Sequence, residues 1–282
     1  MSDAKRTIHD NNLAVFLSAL SRYRILSLRQ VDILLTGRRP DVKHLQKARI
    51  IHLWQAPSPT GAMQHLVALA RRGADLLASH EGKEVREVPY LQPAETKRSL
   101  FTLEHSLCLT ELGLTLERLS RQDPDFKLLR FETAAAKIGD AVRFIREGEL
   151  YEVPLVADAF LGVAYGQREH WFLVEVDRGT VTLPRMRKKF LGYRHWWRHN
   201  GPWNRFGVRN LRLLVLTSTP SRLKRLQRVL TDVSANQSVG FVWLSLLSEV
   251  SLTEPRRLLA PIWHKGGLRE EITTLFQNCS GP

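Results

Sequence analysis

The sequence predicts a mixed α+β / α/β protein, a winged helix-turn-helix domain followed by a larger α/β domain. Three observations predict it. Helical apolar stripes recur three times between Leu13 and Ala48, two extended runs split by a turn-rich stretch come next, and strand and helix patterns then alternate through the second half of the chain. A polar segment from about His80 to Glu95, with Pro89 and Pro93, separates the two parts. The expected organisation is a winged helix-turn-helix domain over 1–88, a linker over 89–96 and an α/β domain over 97–282.

Leu13, Phe16, Leu17 and Leu20 share one face at helical spacing and define the first helix. Ser27-Leu28-Arg29-Gln30 has the form of a capping box, and Val31, Leu34 and Leu35 carry a second helix until Thr36-Gly37 stops it. After Arg38-Arg39-Pro40, Asp41 is placed to cap a third helix with Leu45 and Ala48 inward and Lys43, His44, Gln46, Lys47 and Arg49 outward. A helix with a basic, amide-bearing face is a recognition-helix candidate, so these residues with Arg38 and Arg39 form the expected DNA-binding surface. Ile50–Gln55 and Gln64–Leu69 read as strands, and Ala56-Pro57-Ser58-Pro59-Thr60-Gly61 between them as a wing. A helix from Arg71 to Ala78 closes the unit. Charge on a helix face is commonly only solvation, but here it gathers where a groove and its flanking phosphates would lie.

In the second part, Leu109, Leu112, Leu116 and Leu119 predict a long helix ending near Arg121. Extended runs follow at Phe126–Thr133, Val142–Arg146, Val153–Val163 and Trp171–Asp177. Pro184 suits the first turn of a helix reaching Trp197. A Leu211–Thr217 strand, an Arg-rich helix over Ser221–Leu230 and a Phe241–Leu246 strand complete the pattern.

The 282 residues are 43% hydrophobic and 25% charged, and no stretch approaches the roughly 20 apolar residues of a membrane helix. The opening Met-Ser-Asp-Ala-Lys-Arg lacks a signal-peptide core, so a cytoplasmic location is expected. Cys108 and Cys279 have neither zinc-site nor disulfide spacing. Against 28 acidic residues stand 42 Lys and Arg, a formal net charge of +14 that marks a polyanion partner. With no basic amphipathic terminal helix or lipidation signal, nucleic acid is favoured over membrane.

Asp158 and Glu175 lie within apolar extended runs where a buried sheet prefers hydrocarbon, and Glu175 and Asp177 are two apart, on one strand face. An antiparallel neighbour could bring Asp158 beside them. Three carboxylates together repel unless a cation intervenes. Two readings stay open: Asp158, Glu175 and Asp177 as ligands of a magnesium or manganese ion that activates water against a phosphodiester, or an ion network with Arg178, Arg185 or Arg187.

A helix followed by three strands, with acids on the second and third, resembles the PD-(D/E)xK (restriction-endonuclease-like) fold. The match narrows with His105-Ser106-Leu107, the Ala157-Asp158 strand, Glu175-Val176-Asp177-Arg178-Gly179-Thr180, the basic helix Arg187-Lys188-Lys189-Phe190-Leu191-Gly192-Tyr193-Arg194, and Leu216-Thr217-Ser218 leading to Arg222. In this order, behind a winged helix, they resemble the replication-relaxation family of plasmids and other mobile elements, from about residue 11 to the Trp263 region. The resemblance implies DNA binding in replication, copy control or mobilisation, with a nuclease-like second domain. Ala157 stands where the nuclease pattern has proline and Asp177 where it has the catalytic lysine, which leaves Lys188 or Lys189, one helix later, as a displaced substitute.

Arg194, His195, Trp196, Trp197, Arg198, His199, Trp203 and Arg205 mix cations with rings, and Arg222 follows a strand end where an anion could approach. Arg194, Arg198 and Arg222 therefore join the DNA-binding candidates, with Trp196 or Trp197 expected in the core. His195 and His199 have zinc-ligand spacing on a helix but no evident third ligand. The leading expectation is a non-catalytic or weakly catalytic DNA-binding protein of a mobile element, with a nuclease-like second domain. A magnesium- or manganese-dependent endonuclease or nickase is the alternative, and a winged-helix transcription regulator the third. The partners expected are double-stranded DNA and replication or mobilisation proteins, without a membrane, and a homodimer fits the habit of winged-helix proteins.

Overall fold

Ser27 and Gln30 cap each other: the Ser27 hydroxyl accepts from the Gln30 amide, and the Gln30 side chain accepts from the Ser27 N–H at 3.0 Å. This capping box starts one of eight helices among the residues that the computed structural model describes, 11–58, 61–133, 137–146, 148–234, 239–267 and 271–276. Contacts divide the chain into two units, 1–114 and 115–282.

In the first unit α1 (Asn11–Tyr23) buries Leu13, Phe16, Leu17 and Leu20, the four residues of its predicted stripe. A two-residue strand β1 (Leu26–Ser27), too short to leave a sequence pattern, leads into α2 (Leu28–Leu34). Next come α3 (Val42–Lys47), the hairpin β2 (Ile51–Pro57) and β3 (Met63–Leu69), and α4 (Arg71–Glu81). The sheet runs β1-β3-β2, antiparallel throughout. At the hairpin tip Ser58 N–H donates to Ala62 O at 2.7 Å, while Pro59 and Thr60 of the expected wing lie outside the described residues.

The segment expected as a linker at 89–96 packs onto this unit. Leu91 is buried among Ile25, Leu66, Ala68 and Leu103, and its N–H donates to Leu69 O at 2.9 Å. One leucine in a polar, proline-bearing stretch gives no periodic signal. The division between units instead falls at Leu114/Thr115, inside α5 (Leu100–Gln122).

The second unit holds β4 (Phe126–Thr133), β5 (Lys137–Arg146), β6 (Glu149–Val156), β7 (Ala159–Tyr165), β8 (Arg168–Asp177), α6 (Leu183–Arg198), α7 (Gly201–Phe206), β9 (Leu211–Thr217), α8 (Pro220–Val233), β10 (Val242–Leu246), β11 (Trp263–Lys265) and β12 (Ile272–Thr273). Seven strands form one sheet in the order β12-β11-β10-β9-β8-β7-β4, with β8, β9 and β10 parallel and their connections made through α6, α7 and α8. The run expected as a single strand over Val153–Val163 is broken at Ala157-Asp158. Its first half pairs with β5 in a separate two-stranded ribbon and its second half joins the main sheet. Met186, Phe190, Leu191 and Tyr193 of α6 and Leu223, Leu226 and Leu230 of α8 share one core with Leu173, Leu213 and Val215 of the sheet.

Gly73 sets how closely α4 approaches the end of α3. A Cβ there would lie 2.2 Å from the backbone oxygen of Ile50 and 2.7 Å from the Leu69 side chain. Since the nearer obstacle is backbone, Gly73→Ala is expected to destabilise the protein by about 1–3 kcal/mol, read as a lowered midpoint in urea unfolding. An unchanged midpoint would mean that α4 can shift without cost.

Candidate functional site

The first candidate surface is built by α3. Asp41 Oδ1 accepts from the N–H groups of Lys43 (2.9 Å) and His44 (3.1 Å), which caps the helix. The same bonds, that from His44 foremost, hold the Asp41 carboxyl below its ordinary range. Val42 and Leu45 are buried, so Lys43, His44, Gln46 and Lys47 are left exposed on the outer face. Ala48, expected inward, is only half-buried, and Val42 takes the inward position. The Gln46 amide donates to Leu53 O at 3.2 Å and ties the helix to β2. Arg49 ends the helix at φ +58° with its side chain exposed. Arg38 and Arg39 are exposed ahead of the helix, and Arg39 pairs with Asp32 at 3.1 Å.

The second candidate lies at the C-terminal end of β8, where open α/β sheets place ligands. Glu175 and Asp177 face α6 and α8 as strand alternation requires, both buried. Glu175 Oε2 receives Lys189 Nζ at 2.6 Å and its Oε1 receives the Tyr193 hydroxyl at 2.5 Å. Lys189 and Tyr193, four apart, share one face of α6. Burial pushes the Glu175 carboxyl up to about 7 although Lys189 pulls it down, and the neighbouring Asp158 adds to the rise. Burial together with the facing Glu175 carboxylate raises the Tyr193 phenol well above its ordinary value.

Asp177 is held more completely. Arg222 donates from Nε to Oδ2 (2.8 Å) and from Nη2 to Oδ1 (3.2 Å), Thr217 Oγ1 donates to Oδ2 (3.2 Å) and Gly179 N–H to Oδ1 (3.1 Å). Arg222 and Asp177 side chains are 7% and 2% exposed, so the pair is dry. Arg222 also donates to Val181 O at 2.5 Å. An anion does approach Arg222, but it is this internal carboxylate, and the guanidinium is buried away from any DNA backbone. Lys189 is the cation paired with Glu175 and Arg222 the one paired with Asp177.

Asp158 lies in the bend between β6 and β7 rather than on a strand. Its N–H donates to Val174 O at 2.9 Å, and its Oδ2 accepts from Val176 N–H at 2.7 Å. It thus comes beside β8, as antiparallel pairing predicts, but its carboxylate serves the backbone. Glu175, Asp177, Lys188, Lys189 and Arg185 line a cleft of about 460 Å³, and Asp158 does not. Among the described residues no three His, Cys, Asp or Glu side chains converge to hold a metal ion. Asp158, Glu175 and Asp177 in this arrangement do not fit magnesium or manganese: each already accepts from protein donors, and a divalent cation would have to displace Lys189 and Arg222. Of the two lysines expected as displaced bases, Lys189 reaches the acids, while Lys188 is exposed with its Nζ 5.8 Å from the Tyr151 ring centre.

Arg194 is half-buried and donates from Nη1 to Val233 O near the end of α8, so it fastens two helices, while Arg198 is exposed. Trp196 is buried as expected and Trp197 stacks on Phe241. His195 and His199 stack ring on ring at 4.1 Å. Cys108 is half-buried in α5 and its thiol is pushed up to about 11 by burial, whereas Cys279 lies outside the described residues. No helix among the described residues is long and apolar enough to cross a membrane. Sequence reasoning missed Tyr193 and Thr217; the signal for Tyr193 was its position one helical turn beyond Lys189.

A model of the replication-relaxation family matches residues 17–210. That span begins within α1 and ends just before β9, short of the Trp263 region to which the sequence resemblance extends. No curated protein and no solved structure matches the chain.

Two outcomes follow from the buried acids. Asp177→Ala leaves Arg222 charged, buried and without its partner, and is expected to cost about 3–5 kcal/mol in urea unfolding. Replacing both with Leu and Met should recover most of that, and no recovery would show that the pair does more than neutralise itself. For Glu175, a folded pKa near 7 lies above the ordinary 4.5, so between those values the folded state holds a proton that the unfolded chain has released. Stability should therefore fall as pH rises from 4.5 to 7. Glu175→Gln should flatten that slope in thermal melts, and an unchanged slope would assign it to another group.

Proposed function

The chain belongs to the replication-relaxation family, and from that premise we propose that it is a double-stranded DNA-binding protein acting in replication, copy control or mobilisation of a plasmid or other mobile element. The first unit is its winged helix-turn-helix, with α3 as recognition helix and the β2–β3 hairpin as wing. The second unit is a nuclease-like fold kept for binding and recruitment rather than cutting. The observation that carries this reading is the outer face of α3, where Lys43, His44, Gln46 and Lys47 stand exposed on a capped helix seated by Val42 and Leu45.

The chemistry of that face suits the task. Lysines neutralise phosphates and release counterions, which makes binding salt-dependent, while His44 and the amide of Gln46 offer hydrogen bonds toward base edges. In the second unit, Lys189 and Arg222 neutralise the two acids that a metal-dependent nuclease would leave open to a cation, so the cleft presents Arg185 and Lys188 to a polyanion instead.

Replacing Lys43 and Lys47 together with alanine should weaken binding to duplex DNA. It should also reduce the slope of log affinity against log salt by about 2, since each phosphate contact contributes roughly 0.9. Titrations by fluorescence anisotropy at several salt concentrations measure both. Wild-type affinity and slope in the double variant would move the DNA-binding surface away from α3.

A further inference from the structure

The positive charge is concentrated in one segment of the second unit. Between Asp177 and Asp232 there is no acidic residue, while fourteen lysines and arginines stand there, as many as the formal net charge of +14, so the remainder of the chain is balanced. This segment runs through α6, α7, β9 and α8. At one corner of it, where α6 gives way to α7, the cations are joined by open aromatic rings.

Helix α7 is bracketed by two left-handed residues, Asn200 at φ +56° and Gly207 at φ +69°. It is also pressed onto the core: a Cβ on Gly201 would lie 2.3 Å from the Trp196 indole, so only glycine permits the approach. The platform so fixed projects Trp203, which is 51% exposed, with the Arg209 guanidinium 5.1 Å from its ring centre. Beside it lies a groove of about 410 Å³ lined by Arg143, His195, His199, Asn204 and Arg205. A column of stacked rings leads into the groove, Tyr151 on Phe144, Phe144 on His195 and His195 on the exposed His199. Burial, with His199 and Arg198 nearby, holds the His195 imidazole below its ordinary pKa, which favours the neutral ring that stacks.

We propose that this corner binds single-stranded nucleic acid, with unpaired bases stacking on Trp203 and His199 and the phosphates following Arg198, Arg205 and Arg209. A duplex hides the faces of its bases, so exposed rings among cations add affinity only where bases are unstacked, whatever their sequence. The inference rests on the reading of the chain as a DNA-binding protein and adds to it a second surface for the separated strand. A protein that meets an opening replicon or a nicked element encounters both forms.

The test compares an oligothymidine of about 20 nucleotides with a duplex of equal length, titrated against the full chain by fluorescence anisotropy. Trp203→Ala combined with His199→Ala should weaken single-strand binding about tenfold or more, because the bases lose the rings on which they stack. Duplex affinity should change less than about twofold. Trp203→Phe keeps a ring and should restore most of the loss, while thermal melts check that the variants are folded. Lys43→Ala with Lys47→Ala should have the opposite pattern. If duplex binding is intact but the wild type ignores oligothymidine, or if the double ring variant binds it as tightly as the wild type, this inference is overturned and the proposed function stands. If the chain binds neither form, the proposed function fails with it.

Discussion

A carboxylate taken out of water must find a cation or give up its charge, and the second unit is arranged around two that are buried on one strand. Glu175 and Asp177 project from the end of β8 into the layer between sheet and helices. Each calls in a different helix: α6 answers with Lys189 and the Tyr193 hydroxyl, α8 with the two-pronged guanidinium of Arg222. Thr217 on β9 completes the ring of donors, so the same interactions that neutralise the acids also fix β8, β9, α6 and α8 against one another. The two sites are not equivalent. Asp177 has donors on both oxygens from a planar fork, an arrangement well suited to a dry ion pair. Glu175 has a flexible lysine and a phenol, and burial outweighs them, which is why its carboxyl sits near 7.

That contrast defines what the cleft can do chemically. A nuclease of the restriction-endonuclease-like kind keeps its acids open for a metal and a lysine close to the attacking water. Here the lysine is turned inward as a counter-ion and the acids are acceptors for protein donors. Arg185 and Lys188 line the cleft, while Glu175 and Asp177 are engaged with Lys189 and Arg222. In the first unit the organisation is simpler: a three-stranded sheet and two buried side chains, Val42 and Leu45, seat a short capped helix whose remaining residues are polar or basic and exposed.

Much of this was legible in the sequence because the signals were local. The capping box at Ser27 and Gln30, the Asp41 cap, the stripe of α1 and the acids on β8 are each set by residues a few positions apart, and the structure holds all of them. What sequence could not supply was pairing over distance. The choice of Arg222 for Asp177 spans 45 residues and depends on α8 following β9. The break at Asp158 was hidden because Leu155-Val156 and Ala159-Phe160 are equally apolar on either side, and only sheet assignment reveals two strands. Leu91 escaped for the converse reason, a single core residue inside a polar stretch. Proximity in sequence likewise does not point to Lys189, fourteen residues from Glu175, which the helix turn facing the sheet brings to it.

On the proposed reading, the second unit holds DNA without cutting it because its acids are already neutralised from within. Incubating the wild-type protein with supercoiled plasmid and added magnesium or manganese, alongside Glu175→Ala, tests it most directly. Neither protein is expected to nick the plasmid under conditions where the wild type retards it on a gel. Metal-dependent nicking by the wild type that disappears in Glu175→Ala would contradict it, and would mean that a cation displaces Lys189 to open a working nuclease site.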